Sequence, residues 1–342
     1  MKKLALILAV AVPLSADTLI VLNKSDATAS FLKLPEGKLV ATAPTGAGPH
    51  EVDVSPDGKT AVVCNYGTGP GKEGSTLTVL DVASAAVLKT IDLGEYRKPH
   101  GVRFLPDGKR VAVTAEANQA LLLIDVATGK IESAIKTDQK VSHMVAVDEK
   151  GTRAYVASIG SGNLTAIDLA DGKVLKVIPT GDGAEGIALR PGGAEVWVTN
   201  RAADTVSVVD TASLSVSKNL ASASFPIRVR FTPDGKRALV SNAKSGELAV
   251  FDAGTKAETR RIPMRLSVGD VHGRLFTEMG QSPVPIGILI PPDGKRAYIA
   301  NANADVIAVL DLATWQITGT FKAGREPDGL GWSKLDVKPK SP

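Results

Sequence analysis

A Pro-Asp-Gly-Lys tetrapeptide occurs four times in this chain, at 56–59, 106–109, 233–236 and 292–295. Degenerate copies stand at Asp148-Glu149-Lys150-Gly151 and Pro191-Gly192-Gly193. Proline presets φ, Asp caps the turn and Gly takes positive φ, so each copy marks a tight turn. Turns recurring every ~40 residues are the signature of a repeat fold rather than of separate domains.

What lies between the turns repeats as well. An apolar run such as Glu195-Val196-Trp197-Val198-Thr199-Asn200 leads to a polar loop, then to an alternating strand ending in Asp such as Thr205-Val206-Ser207-Val208-Val209-Asp210. Two further strands follow, such as Val174–Ile178 and Glu185–Leu189 in the neighbouring copy. Four short strands with period-two alternation and Gly-rich turns describe one antiparallel propeller blade. Seven units begin near residues 18, 60, 110, 153, 195, 237 and 296. The predicted fold is all-β: a seven-bladed β-propeller of four-stranded antiparallel blades. With strands named A to D from the channel outward, the first blade lacks strand A. The segment Pro327–Trp332 matches it and is expected to close the ring beside residues 18–23, removing free edges.

The segment Thr199–Asp210 and its six siblings resemble the YVTN-repeat, YncE-like β-propellers. The resemblance covers nearly the whole chain after residue 16. It implies the propeller fold and leaves function open, because that family hosts several activities; DNA binding is one that it implies.

Residues 1–16 read as a signal peptide. Lys2 and Lys3 precede the apolar stretch Leu4–Val12, too short to span a bilayer, and Pro13-Leu14-Ser15-Ala16 predicts cleavage after Ala16. The expected organisation is thus a signal peptide over 1–16, one propeller domain over 17–335 and a tail over 336–342, with a periplasmic or secreted destination. No later stretch has the length and hydropathy of a membrane span. Removing Lys2 and Lys3 leaves 38 basic against 36 acidic residues. That balance, without a basic-aromatic stripe, argues against a nucleic-acid partner. Cys64 stands alone, so no internal disulfide is expected; its apolar run predicts a buried, inert thiol.

Three of the four histidines share one slot. His50, His100 and His143 each lie eight residues before a turn glycine. The same slot elsewhere holds Glu185, Ile227 and Ile286, and Asp328 in the closing strand. Round the ring, Asp328, His50, His100, His143 and Glu185 form an unbroken arc at the start of strand A, nearest the channel. Imidazole with carboxylate suits a transition-metal ion such as Cu, Zn or Fe. The longest D-to-A connection, Pro263–Pro285, carries His272 with Asp270, Glu278, Met264 and Met279 over the same mouth, so His272 joins the candidate ligands. The Gly-rich segment 65–75 flanks the arc; both long loops suggest a lid or contacts to a small-molecule ligand.

Strict alternation puts His50 on the same side as Val52 and Val54, which pack between blades. The imidazoles therefore reach the axis only if strand A begins irregularly; otherwise they cap neighbouring backbone. The leading expectation is a metal ion held at one channel mouth. A metalloenzyme (a hydrolase, lactonase or oxidoreductase) using the same arc and a metal-free scaffold for protein or single-stranded DNA are the alternatives.

Overall fold

The computed structural model describes residues 17–338; the predicted signal peptide lies outside the described residues. Seven four-stranded antiparallel sheets form a ring. Blade 1 is completed by the chain's end: Pro327–Ser333 pairs antiparallel with Thr18–Asn23 and so serves as its strand A. The other blades take their strands A to D in chain order, blade 2 beginning at Pro49–Val54 and blade 7 ending at Gln316–Lys322. Beyond the closing strand, the first residues of the predicted tail dock on the ring. Val337 is buried, its N–H donates to Thr18 Oγ1 (3.2 Å), and Lys338 N donates to Ala83 O (2.6 Å).

The turn chemistry is as the residues dictate. At 55–59, Gly58 has φ +83° and donates its N–H to Ser55 O, while Asp57 Oδ1 accepts from Lys59 N. In every blade but the first, whose strand C ends in Lys33, an Asp ends strand C at the next turn; Asp125 Oδ1 accepts from Thr128 N there, and Asp210 Oδ1 from Ser213 N. Strand B is buried nearly end to end, as in Glu195–Asn200, whereas strand D is largely exposed, as in Lys173–Pro179. The core therefore consists of seams between blades, such as Leu77 and Ile91 of blade 2 against Val102 and Leu122 of blade 3. Buried hydroxyls cross these seams. Thr114 Oγ1 accepts from Gly101 N and donates to His143 O of the next blade; Ser241 Oγ donates to Ile286 O in the same way. Cys64 fills the equivalent strand position in blade 2, fully buried, and burial pushes its thiol well above the ordinary range.

Candidate metal centre at the channel mouth

Two backbone devices, repeated in all seven blades, build the mouth. The residue just before strand A is left-handed: Gly48, Lys98, Val141, Gly183, Phe225, Val284 and Glu326 have φ between +54° and +77°. Five of these are not glycine, so the conformation is held by its surroundings. Its carbonyl accepts from an N–H at the channel end of strand B, as in Gly48 O from Tyr66 N (3.1 Å), Lys98 O from Glu116 N (3.1 Å) and Glu326 O from Lys24 N (3.1 Å). The register of strands A and B then slips by one residue, for example between Pro49 and Val52 and between Ser142 and Met144. Such a bulge re-aims side chains that alternation would send into the seam. This is the irregular start that the histidines need to face the axis. The result is two concentric rings: Asp328, His50, His100, His143, Glu185, Ile227 and Ile286 inside, with Lys24, Tyr66, Glu116, Ile159, Arg201, Ala243 and Ala302 just outside.

The three imidazoles adjoin, with His100 stacked on His143 and His50 meeting His100 edge-on. Ring centroids lie 4.9 Å apart for His50 and His100 and 3.5 Å for His100 and His143, with Tyr66 4.4 Å from His50. His50 Nδ1 lies 2.9 Å from Gly48 O and so carries the proton, which leaves Nε2 with the lone pair. His143 Nδ1 bonds Glu116 Oε1 and its Nε2 lies 3.3 Å from Glu185 Oε1. Tyr66 donates its hydroxyl to Glu116 Oε2 (2.6 Å). Glu185 also accepts from Arg201 Nη1 (2.6 Å) and Arg228 Nη1 (3.1 Å), and Lys24 Nζ meets Asp328 Oδ2 at 3.0 Å.

These contacts split the histidines electrostatically. Burial, and then the Lys24 ammonium, hold His50 well below its ordinary pKa. Burial and the charge of His143 do the same to His100. Burial also opposes the charge on His143, but the Glu116 and Glu185 carboxylates outweigh it and raise the value. Burial resists the Glu185 anion too, yet His143, Arg201 and Arg228 draw it down to about 2. His143, held between two carboxylates, is thus the histidine of the three that most readily keeps a proton, and it stacks on His100, which resists one. One nitrogen each of His100 and His143 and one oxygen of Glu116 lie within 4.8 Å of one another, close enough to share a metal ion. His100 Nδ1 is buried without a hydrogen-bond partner, as is Asp328 Oδ1.

Residues 106–273 match the Cytochrome D1 heme domain model, about half of the chain. The uncharacterized protein YncE of Salmonella typhimurium is 27% identical over 248 residues, 66% of this chain and 64% of that protein, less than two thirds of its length. The fold carries the same likeness. The chain is a seven-bladed propeller of the cytochrome d1/YncE type. Dihydro-heme d1 dehydrogenase of Pseudomonas aeruginosa is 26% identical over 229 residues, covering 63% of this chain and 42% of that protein. A chain of the Kuenenia stuttgartiensis hydrazine synthase structure superposes with a TM-score of 0.70 at 18% identity, over 82% of this chain and 88% of that one, a likeness of fold alone. The domain match holds Glu116, His143 and Glu185 but leaves His50, His100 and Asp328 outside it.

Of the residues singled out in this YncE-like propeller by sequence, His50, His100, His143, Glu185 and Asp328 all line one cavity of about 350 Å³. His272 does not. It is exposed on the long D-to-A connection, its N–H bonded to Asp270 Oδ1, away from the cavity lining. That connection nonetheless covers the mouth. Met279 and Val284 pack with Ile227, Ala243, Ile286 and Ala302 on the apolar half of the rim, and Leu275, Phe276 and Glu278 face the cavity. Arg274 pins it by paired bonds to Asp305 (2.8 and 2.6 Å). Segment 65–75 is mostly an extension of strands B and C, Thr60–Gly67 and Glu73–Asp81, and contributes Tyr66. Glu116, Tyr66 and Lys24 carried no signal in the sequence; each stands at the channel end of strand B, directly after Ala115, Asn65 and Asn23, in the position that Arg201 takes after Asn200.

Gly101 shows how tight the arc is. A Cβ there would lie 2.8 Å from His143 O and 2.9 Å from Val145 N, both backbone atoms of the next blade. Gly101→Ala is therefore expected to lower stability by about 1–3 kcal/mol through overpacking. Denaturant unfolding of the variant checks this, and an unchanged midpoint would refute the close approach.

Proposed function

We propose that this YncE-like propeller is an exported protein that holds a transition-metal ion at its channel mouth, with His100, His143 and Glu116 as ligands. The observation that carries the reading is the meeting of those three donors within 4.8 Å. The unpartnered Nδ1 of His100 supports it, because a buried polar atom without a partner is costly unless something binds it. Glu185 and Tyr66 would orient His143 and Glu116, as outer partners of metal ligands do. Two imidazoles and a carboxylate suit Zn(II), Cu(II) or Fe(II) and leave a position free toward the cavity. The cavity's mixed lining, with Arg201 and Lys24 near Phe225, Phe276 and Ile227, supports a small-molecule ligand there.

The matching domain's name raises a haem as another occupant. The residues do not fit one. His100 and His143 stack at 3.5 Å, with no gap for a macrocycle between them. The cavity is at the small end for ligand pockets. The cations that would meet haem carboxylates are already matched: Lys24 by Asp328, Arg201 by Glu185, and Arg228 by Glu51 and Glu185.

Calorimetric titration of chelator-stripped protein with Zn(II), Cu(II) and Co(II) tests the reading. One ion per chain is expected. His100→Ala/His143→Ala should abolish binding, and Glu185→Gln should weaken it by about 10–100-fold. Absence of binding to the wild type, or unchanged binding by the double variant, would overturn the reading.

A further inference from the structure

The inner channel wall carries charge at a second level, far from the histidines. Three residues along strand A from the ring of histidines stand Asp53, Arg103, Ala146, Ala188, Arg230 and Leu289. At about 3.3 Å per residue this level is roughly 10 Å further down the channel, toward the Pro-Asp-Gly-Lys turns. Between the two levels Arg228 reaches across the ring to Glu51 (2.7 Å), so a buried ion pair separates this mouth from the candidate metal centre.

The charges at the lower level do not balance. Arg103 Nη1 lies 3.8 Å from Asp53 Oδ1 and donates to Val102 O (3.0 Å). Asp53 spends its other oxygen on Phe104 N (2.7 Å). Arg230, partly buried, makes no side-chain hydrogen bond or ion pair among the described residues. Two guanidinium groups thus face one carboxylate. Between Arg103 and Arg230 round the ring, the small side chains of Ala146 and Ala188 leave a cavity of about 450 Å³, walled by Ile187, Leu189, Phe231 and Ile290 and by the turn prolines Pro191, Pro233 and Pro292.

We infer that this opposite mouth binds a small organic monocarboxylate, its head between Arg103 and Arg230 and its apolar body against Ile187, Leu189 and Phe231. A guanidinium matches a carboxylate in charge and bidentate geometry. The surplus of one positive charge matches one anionic group, and the apolar wall matches a hydrocarbon body better than a fully hydrated inorganic anion. Burial and the charge of Arg103 both oppose the charge on Arg230, a strain that an arriving anion relieves.

Titration of the full chain with hexanoate, with hexanamide and inorganic phosphate alongside, tests the site. Hexanoate should bind measurably and the other two at least tenfold more weakly. Arg230→Met should weaken hexanoate by about tenfold or more, the worth of a hydrogen bond to a charged group. Asp53→Asn, which keeps an acceptor for Phe104 N, should tighten it. His100→Ala/His143→Ala should leave it unchanged, which keeps this test separate from that of the metal centre. Equal binding of hexanamide, phosphate binding as tight as hexanoate, or an Arg230→Met variant with a native unfolding midpoint and undiminished hexanoate binding would each overturn the assignment.

Discussion

Arg228→Met is expected to destabilise the propeller by about 3–5 kcal/mol, the cost of stripping a buried ion pair of one partner. Arg228 is 5% exposed and spans the channel. Its Nη2 and Nε donate to Glu51 Oε1 (2.7 and 3.1 Å), and its Nη1 donates to Glu185 Oε1 (3.1 Å) and Ile227 O (3.0 Å). Glu51 and Glu185 are themselves buried. Methionine fills similar volume, so the loss reports charge rather than a cavity. Glu185 keeps Arg201 and His143, whereas Glu51 keeps no ion-pair partner among the described residues. Arg228→Met/Glu51→Met should therefore recover most of the stability, because replacing both members removes the uncompensated carboxylate. Denaturant midpoints at pH 7 distinguish these outcomes. A single variant within about 1 kcal/mol of wild type would show that water, not Arg228, satisfies Glu51.

The same ion pair shows what the sequence could and could not convey. The repeat made the blades legible, because the turn residues and the strand-ending aspartates act locally. The shared slot of His50, His100 and His143 was legible too, since strand A repeats in register with its turn. The convergence of that slot with Glu116 and Tyr66 was not. It depends on a left-handed residue before strand A whose carbonyl holds an amide at the channel end of strand B, and at Lys98, Val141 and Phe225 no glycine marks the conformation. The bulge that turns the imidazoles toward the axis has no residue signature either; alternation argues against it. A readable sign existed in the glycine after the slot. Gly101, Gly186, Gly287 and Gly329 each let the backbone of the neighbouring strand A approach to within 3 Å of a would-be Cβ. Where that position is instead Glu51 or Arg228, side chains fill the channel. His272 misled because it shares a long connection with residues that do face the cavity; the connection seats itself through Met279 and Arg274 and leaves the histidine outside.

The stability of the metal-free protein is expected to peak near pH 6.5 and to fall on both sides, for opposite reasons. His50 and His100 are held well below their ordinary value of 6.5, chiefly by burial. Below pH 6.5 the unfolded chain takes up two protons that the folded protein refuses, so their contribution is present above that pH and fades as it drops. The slope is about 1.4 kcal/mol per pH unit for each proton, or roughly 2.7 for the pair. His143 behaves in reverse. Its raised value means that the folded protein keeps a proton that the unfolded chain has released; that contribution is complete below pH 6.5 and is lost as pH rises through the folded value, at about 1.4 kcal/mol per unit. Glu185, drawn down to about 2, adds no slope here, since its unfolded value of 4.5 lies below the window. Unfolding midpoints between pH 5 and 9, with chelator present, measure both flanks. His50→Gln/His100→Gln should flatten the acid side and His143→Gln the alkaline side. The proton on His143 also occupies a nitrogen that a metal needs. Metal affinity should therefore climb about tenfold per pH unit until His143 loses its proton in the folded state, then level. A single flat stability profile, or a metal affinity indifferent to pH across this range, would mean that His143 does not keep its proton between Glu116 and Glu185.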